Sequence, residues 1–385
     1  MSNIKTVFLS TYPPRACGIA TFTQDLVGAL QSVGGVEPSI AAISDADYDY
    51  PPEVAYTLRQ QEHGDYAETA EKINRSGADL VIMEHEFGIF GGEWGRDALN
   101  FADALKLPFL VTLHTVLPSP EEQQKEIITA LGQKCAKIVT MAENSVEILR
   151  DIYRVDPGKI AMIPHGVPER PFVPRDWLKK EDGLRGRFIV STFGLLSPGK
   201  GLEYGIEAIA RIARKHPSVL YLILGQTHPV VKRRDGEKYR EQLTDMVKRL
   251  GIEKNVQFVN RYLTKDEIIR YLQLSDLYMT PYLGKEQAVS GTLAYAVGYG
   301  RVIVSTPYTY AREMLAGGRG LLAEFRSSSA LADCIAEMME NPEEKARKER
   351  LTRDFGRNMM WNRVAERYRR LFEGAVRAGG KGAVQ

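Results

Sequence analysis

The sequence predicts an α/β protein made of two doubly wound domains followed by a helical tail. Three observations carry that expectation. Apolar, β-branched runs alternate with amphipathic helical patterns along most of the chain. The alternation breaks once, in a proline-rich stretch from about Val167 to Arg187, and then restarts. The length of 385 residues exceeds what one hydrophobic core usually spans.

The elements follow in order. Thr6-Val7-Phe8-Leu9-Ser10 reads as the first strand, a loop follows, and an amphipathic segment runs from about Thr21 to Leu30. Leu80-Val81-Ile82-Met83, Pro108 to Leu113, Lys137-Ile138-Val139-Thr140 and Ile160-Ala161-Met162-Ile163 are the further strands of the first half. The break carries Pro168, Pro171 and Pro174, then Lys179-Lys180-Glu181-Asp182-Gly183, and reads as a linker. Arg187 to Phe193, Val219 to Leu224, Val256 to Val259, Leu277-Tyr278-Met279 and Val302-Ile303-Val304 are the strands of the second half. From about Pro342 to Ala378 the chain is charged and helical, without strand signals. The domains are placed at 1–170 and 171–360, with a last helix over 361–378.

Composition narrows the class. Hydrophobic residues make up 44% and charged residues 26%, as in soluble globular proteins. No apolar stretch approaches a membrane span, and the polar N-terminus does not read as a signal peptide. Cys17, Cys135 and Cys334 are scattered and odd in number, which suits a reducing cytoplasm. The net charge of +2 hides an asymmetry: residues 1–165 hold 13 Lys and Arg against 23 Asp and Glu, which leaves 38 against 26 for the rest. An acidic first half disfavours nucleic acid and anionic membranes. The basic balance of the second half suits an anionic small molecule, although much of it lies in the tail, where a solvated helix face explains it as well. The expectation is a cytoplasmic protein with at most weak membrane contact; the oligomeric state is left open.

Ligands of open parallel sheets bind beyond the carboxyl ends of the strands, so residues just after strands are the candidates. Gly18 lies in the loop after the first strand, either as a flexible turn residue or to admit a phosphate, with Thr21 or Thr23 as the helix cap. Glu84-His85-Glu86 ends the second run before a glycine-rich loop, where charged side chains are expected to point into a ligand cleft rather than the core, or else to pair with each other at the surface. No metal-ligand spacing completes that cluster, and no metal is expected. His114 and His165 end two further strands and suit hydrogen bonding to a ligand. Lys200, in Gly194-Leu195-Leu196-Ser197-Pro198-Gly199-Lys200-Gly201, precedes a helix and suits a phosphate, although the spacing is not that of a P-loop. Ser290-Gly291-Thr292 opens a buried helix that ends at Gly300, and its backbone N–H groups at the positive end of the helix dipole also suit a phosphate.

This order of motifs resembles the retaining glycosyltransferases of family 4, whose fold is GT-B: two Rossmann-like domains, an interdomain cleft and a C-terminal crossover helix. The resemblance rests on the Gly18 loop, His114, Ile163-Pro164-His165-Gly166-Val167, Gly194 to Gly201, Glu286 to Ser305 and Trp361 before the last helix. The run Ser290 to Tyr295 looks like a mannosyltransferase-like subgroup. Three positions depart from the family. Leu195 stands where an arginine is usual, and Gln287 and Tyr295 stand where the family has two glutamates eight positions apart, with Glu286 beside the first.

The resemblance implies transfer of a hexosyl group from a nucleotide-sugar donor to an acceptor hydroxyl, with retention and without a metal or other cofactor. His114, Lys200 and Glu286 would act at the reacting centre. Gly18, Lys200, Gln287, Ser290, Gly291, Thr292 and Tyr295 would hold the donor, and His85, Glu86 and His165 would line the sugar or acceptor side. The partners implied are a nucleotide sugar and a carbohydrate acceptor. Two other readings stand beside this one: a phosphorylase using a sugar 1-phosphate, and a non-catalytic protein that binds nucleotide sugars or glycans.

Overall fold

The computed structural model describes residues 3–381. The chain divides into two compact units, Met1–Pro168 with Met359–Gln385, and Glu169–Asn358.

The first unit is built on a seven-stranded parallel sheet. Its strands are β1 (Ile4–Ser10), β2 (Val36–Ser44), β3 (Val54–Arg59), β4 (Leu80–His85), β5 (Phe109–Leu113), β6 (Lys137–Thr140) and β7 (Ile160–Met162), in the order β3-β2-β1-β4-β5-β6-β7. Val7, Leu9, Val81, Met83 and Val111 bury one face against Phe101, Ile127 and Leu131. On β1, Phe8 meets Phe372 of the C-terminal helix Trp361–Lys381 edge-on, with ring centroids 6.4 Å apart. Strand order reverses between β1 and β4, so the loops after these two strands leave the sheet toward opposite faces and open a crevice at its carboxyl edge.

Strands β2 and β3 lack a readable sequence pattern. Pro38 and small residues interrupt the apolar signal of β2, although Ile40 to Ser44 are buried between its neighbours. Strand β3 is an edge strand with alternating exposure, so its pattern is short and half polar. The first helix, Gly18–Val33, starts earlier than expected, after an extended Cys17. Thr21 and Thr23 are not its caps. They lie inside the first turns, where their hydroxyls donate to the carbonyls of Cys17 (3.3 Å) and Ile19 (2.9 Å).

The second unit holds a six-stranded parallel sheet. Its strands are β8 (Phe188–Phe193), β9 (Val219–Leu224), β10 (Val256–Val259), β11 (Leu277–Thr280), β12 (Val302–Ser305) and β13 (Leu321–Leu322), in the order β10-β9-β8-β11-β12-β13. Val190, Ile206, Ile209, Tyr221, Leu243, Met279 and Val304 belong to its core. Here the reversal falls between β8 and β11. The stretch read as a linker contains a helix, Arg175–Glu181. Lys179 on that helix donates to Asp276 (2.5 Å) and to the Arg187 carbonyl (2.8 Å), and Asp276 accepts the Ile189 N–H (2.8 Å). These groups are buried, so the pair anchors the segment to the second unit rather than leaving it as a free tether.

The contact between Phe8 and Phe372 predicts a stability effect far from any candidate site. Phe372→Ala should lower unfolding free energy by about 3–5 kcal/mol, the usual cost of emptying a buried aromatic site. Urea denaturation measures it, and an unchanged midpoint would remove the last helix from the core of the first unit.

Candidate functional site

In the second unit, β8 ends at Phe193 and the chain turns through Gly194 into a 3-10 turn, Pro198–Lys200. The loops after β8 and β9 are joined by backbone hydrogen bonds from Leu196 to Gln226 and from His228 to Leu196, each 2.9 Å. Gly201 then takes a left-handed conformation, φ 59°, and a β-carbon there would lie 2.2 Å from the Pro281 carbonyl. Glycine at 201 therefore lets the loop carrying Lys200 lie directly on the loop after β11.

Tyr282, just past β11, connects the pieces. The Lys200 ammonium sits 3.9 Å from the centre of the Tyr282 ring, a cation–π contact. The Tyr282 hydroxyl lies 2.8 Å from the Thr292 hydroxyl, which is 3.2 Å from the Ser290 hydroxyl. From the other side, Tyr308 stacks on Tyr282 at 5.5 Å, and Thr306 donates to the Tyr282 carbonyl at 2.6 Å. Ser290 caps the helix Gly291–Gly298 by accepting the Leu293 N–H at 3.3 Å. The N–H groups of Gly291 and Thr292 have no hydrogen-bond acceptor among the described residues. Lys200 likewise has no carboxylate partner there. His228 records the positive field: burial, Lys200 and Arg233 together push its imidazolium below the usual range.

The rest of the donor set is distributed around this cradle. Gln287 is half-buried, and its side-chain amide donates to the Val289 carbonyl at 3.1 Å. Glu286 beside it is exposed. Tyr295 lies one turn into the helix, buried, with its ring edge-on to Phe193 at 6.3 Å. Phe193, Gly194, Leu195 and Lys200 line a small pocket at the end of β8. Tyr282 is not among the residues expected from the sequence, although an aromatic residue just after an apolar run is a readable signal.

In the first unit, Phe22 on the first helix gathers three rings. It packs edge-on against His114 (4.8 Å), His165 (5.2 Å) and Trp361 (5.2 Å). Gly166 makes room for this, since a β-carbon there would fall 2.1 Å from the Trp361 ring. His165 Nδ1 lies 2.7 Å from the Gly166 carbonyl. Burial pushes its imidazolium down to about 4, against the opposing pull of that carbonyl and with a further push from His114. His114 follows β5, and its Nε2 is 2.8 Å from a carboxylate oxygen of Glu84, which is wholly buried at the end of β4. Gly18 opens the first helix, whose start has no side-chain cap and open space about the glycine.

His85 corrects the sequence reading. The strand continues through it, and parity turns its ring into the core instead of outward. It stacks on Phe90 at 5.5 Å and meets Phe87 edge-on at 5.2 Å, with neither ring nitrogen hydrogen-bonded. Glu86 is half-buried and committed locally: it accepts the Phe87 N–H at 3.1 Å and the Thr115 hydroxyl. Among the described residues, no group of three or more His, Cys, Asp or Glu is arranged to hold a metal ion.

Comparison with known proteins agrees with the fold of two parallel-sheet units. Residues 175–354 match the family model described as glycosyl transferases group 1, and residues 17–170 match that of Glycosyltransferase Family 4. A D-inositol 3-phosphate glycosyltransferase of Corynebacterium efficiens is 22% identical over 339 residues, covering 82% of this chain and 76% of that protein. Among solved structures, Anabaena HepE in complex with UDP and glucose superposes with a TM-score of 0.76 at 15% identity, over 97% of this chain and 100% of the other. Sucrose-phosphate synthase from Thermosynechococcus elongatus superposes with a TM-score of 0.79 at 16% identity, over 98% and 100%.

The burial of His85 has a consequence for acid stability. Its folded pKa is pushed down from 6.5 to about 3, first by burial and then by His114. The unfolded chain therefore binds the proton more readily. The stability tied to the neutral ring is present above pH 6.5 and is lost as the pH falls toward about 3. Within that window the ring makes stability rise with pH. Denaturation of His85→Phe across the same range should show a shallower acid limb, and an identical limb would exclude His85 as its source.

Proposed function

We propose that this chain, a GT-B glycosyltransferase, moves a hexosyl group from a nucleotide-sugar donor to an acceptor hydroxyl, with retention at the anomeric carbon. The observation that carries this reading is the cradle around Tyr282. It places an ammonium beside a helix start with two N–H groups, neither the ammonium nor the N–H groups having an acceptor partner among the described residues. Both features favour a phosphate, and both gain as negative charge grows on a leaving phosphate. The acceptor oxygen bonds to the anomeric carbon on the face the phosphate leaves. The bond from that carbon to the phosphate oxygen breaks, and the hydroxyl proton passes to the departing phosphate. The cationic work falls to Lys200 and the N–H groups, so the scheme calls for no metal.

The similarity to HepE, whose structure holds UDP and glucose, supports a nucleotide sugar as donor. Mannose is the sugar favoured by the run Ser290 to Tyr295. Glu286 or Gln287 holds sugar hydroxyls, and His114 contacts the sugar. A buried tyrosine packed on Phe193 at 295 cannot copy the paired oxygens of a carboxylate, so the ribose is held by packing.

A thermal-shift screen of nucleotide sugars and sugar 1-phosphates tests the donor class. A true donor at about 100 times its Kd adds about 2.7 kcal/mol of stability. Stabilisation and turnover with a sugar 1-phosphate alone would replace this reading with that of a phosphorylase. Lys200→Ala should leave the melting temperature close to that of the parent and cost about 3 kcal/mol in kcat/KM, roughly a hundredfold. Unaltered kinetics in the folded variant would take Lys200 out of the site. Ribose and 2′-deoxyribose forms of the donor should be used with kcat/KM values within about tenfold of each other; a gap of about 10⁴ would show that a polar group grips the 2′-hydroxyl.

A further inference from the structure

The buried carboxylate beneath His114 is unusual for what it lacks. Glu84 is wholly buried, and one of its oxygens, Oε1, has no hydrogen-bond partner among the described residues. The other, Oε2, is 2.8 Å from His114 Nε2. No cation of lysine or arginine is paired with it among the described residues, so the His114 ring is its one hydrogen-bond partner there. An acid in that position is costly to keep unless its one contact matters. The surroundings hold it in place. Tyr368, on the C-terminal helix, is buried next to it, and its hydroxyl lies 3.4 Å from that of Thr112 on β5. Burial and the Glu84 carboxylate together raise the Tyr368 phenol well above its usual range, so that group stays neutral. The main chain holds the histidine too, through the His114 N–H on the His85 carbonyl at 3.0 Å.

We propose that Glu84 is the positioning residue for His114. A carboxylate only accepts, so His114 must place its proton on Nε2, facing Glu84. The neutral ring then presents Nδ1, which has no protein hydrogen-bond partner among the described residues, as an acceptor. Packing against Phe22 fixes the ring plane. Given the transfer reaction proposed above, on which this inference rests, Nδ1 accepts a hydrogen bond from a sugar hydroxyl. Glu84 sets which nitrogen is available and never touches the sugar itself.

The pairing and its use are tested separately. Nitrogen-15 NMR of the histidine-labelled full chain, with His114 assigned by its loss in His114→Gln, reads the tautomer without any substrate. The expected result is the Nε2–H form in the parent and a mixture, or the Nδ1–H form, in Glu84→Gln. A parent ring protonated on Nδ1 overturns the proposal whether or not any variant folds. Turnover forms the second arm. Glu84→Gln should lower kcat on the order of 100-fold, with donor KM changed less than threefold, and Glu84→Asp should recover part of the loss. An equal loss in both variants, or a loss confined to KM, overturns the positioning role. If no sugar donor turns over while the Nε2–H tautomer is seen, the reaction assignment fails and the pairing stands.

Discussion

All-parallel strand pairing is the constraint on which each unit depends. Every strand must be entered from the same end, so each connection crosses over a face of the sheet and every strand finishes at one edge. Helices then cover both faces, and the interior needs continuous apolar strands such as Leu80 to Met83 and Val219 to Leu224. The same rule collects the residues that follow strands at one edge. Glu84, His114 and His165 are gathered there in the first unit, and Lys200, His228 and Tyr282 in the second.

The two edges solve different problems. In the second unit the cradle is electrostatic, and it is held open by aromatic scaffolding. Tyr282 is pinned by Tyr308 and Thr306, and it fixes both a lysine and the hydroxyl of Thr292. Tyrosine suits this place because its ring face attracts the ammonium while its hydroxyl reaches the helix start. In the first unit the histidines are set by packing. Phe22 fixes two imidazoles, and the bare backbone of Gly166 lets the Trp361 indole close the cluster. Burial keeps His165 neutral at physiological pH, so it acts there as a hydrogen-bonding group and not as a cation.

The C-terminal helix ties stability to this arrangement. Phe372 packs on the middle of the sheet, Tyr368 shields the Glu84 carboxylate, and Trp361 reaches the histidines, at spacings that place them along one side of a single helix. Its charged residues occupy the remaining faces, where Arg369 and Arg377 pair with Glu373. Arg363, Arg367, Arg370 and Arg377 are exposed, so the basic surplus of this helix is largely a solvated face.

The sequence by itself determined the fold class, through apolar runs whose length and spacing are local properties, and it pointed to His114, Lys200 and Ser290 to Thr292, because strand ends and helix starts can be read from neighbouring residues. It misled where burial depends on partners. His85 looked like an exposed strand-end charge, and only its parity in β4 and the distant Phe90 ring place it in the core. Strands β2 and β3 were obscured because a proline and an edge position weaken the local pattern. Tertiary structure alone decided that Glu84 would meet His114, 30 positions away, that Tyr282 would join Lys200 to Thr292, and that Tyr368 would approach Thr112 across 256 positions. Such pairings depend on which strands become neighbours, and that is fixed by burying the whole sheet at once and not by any segment alone.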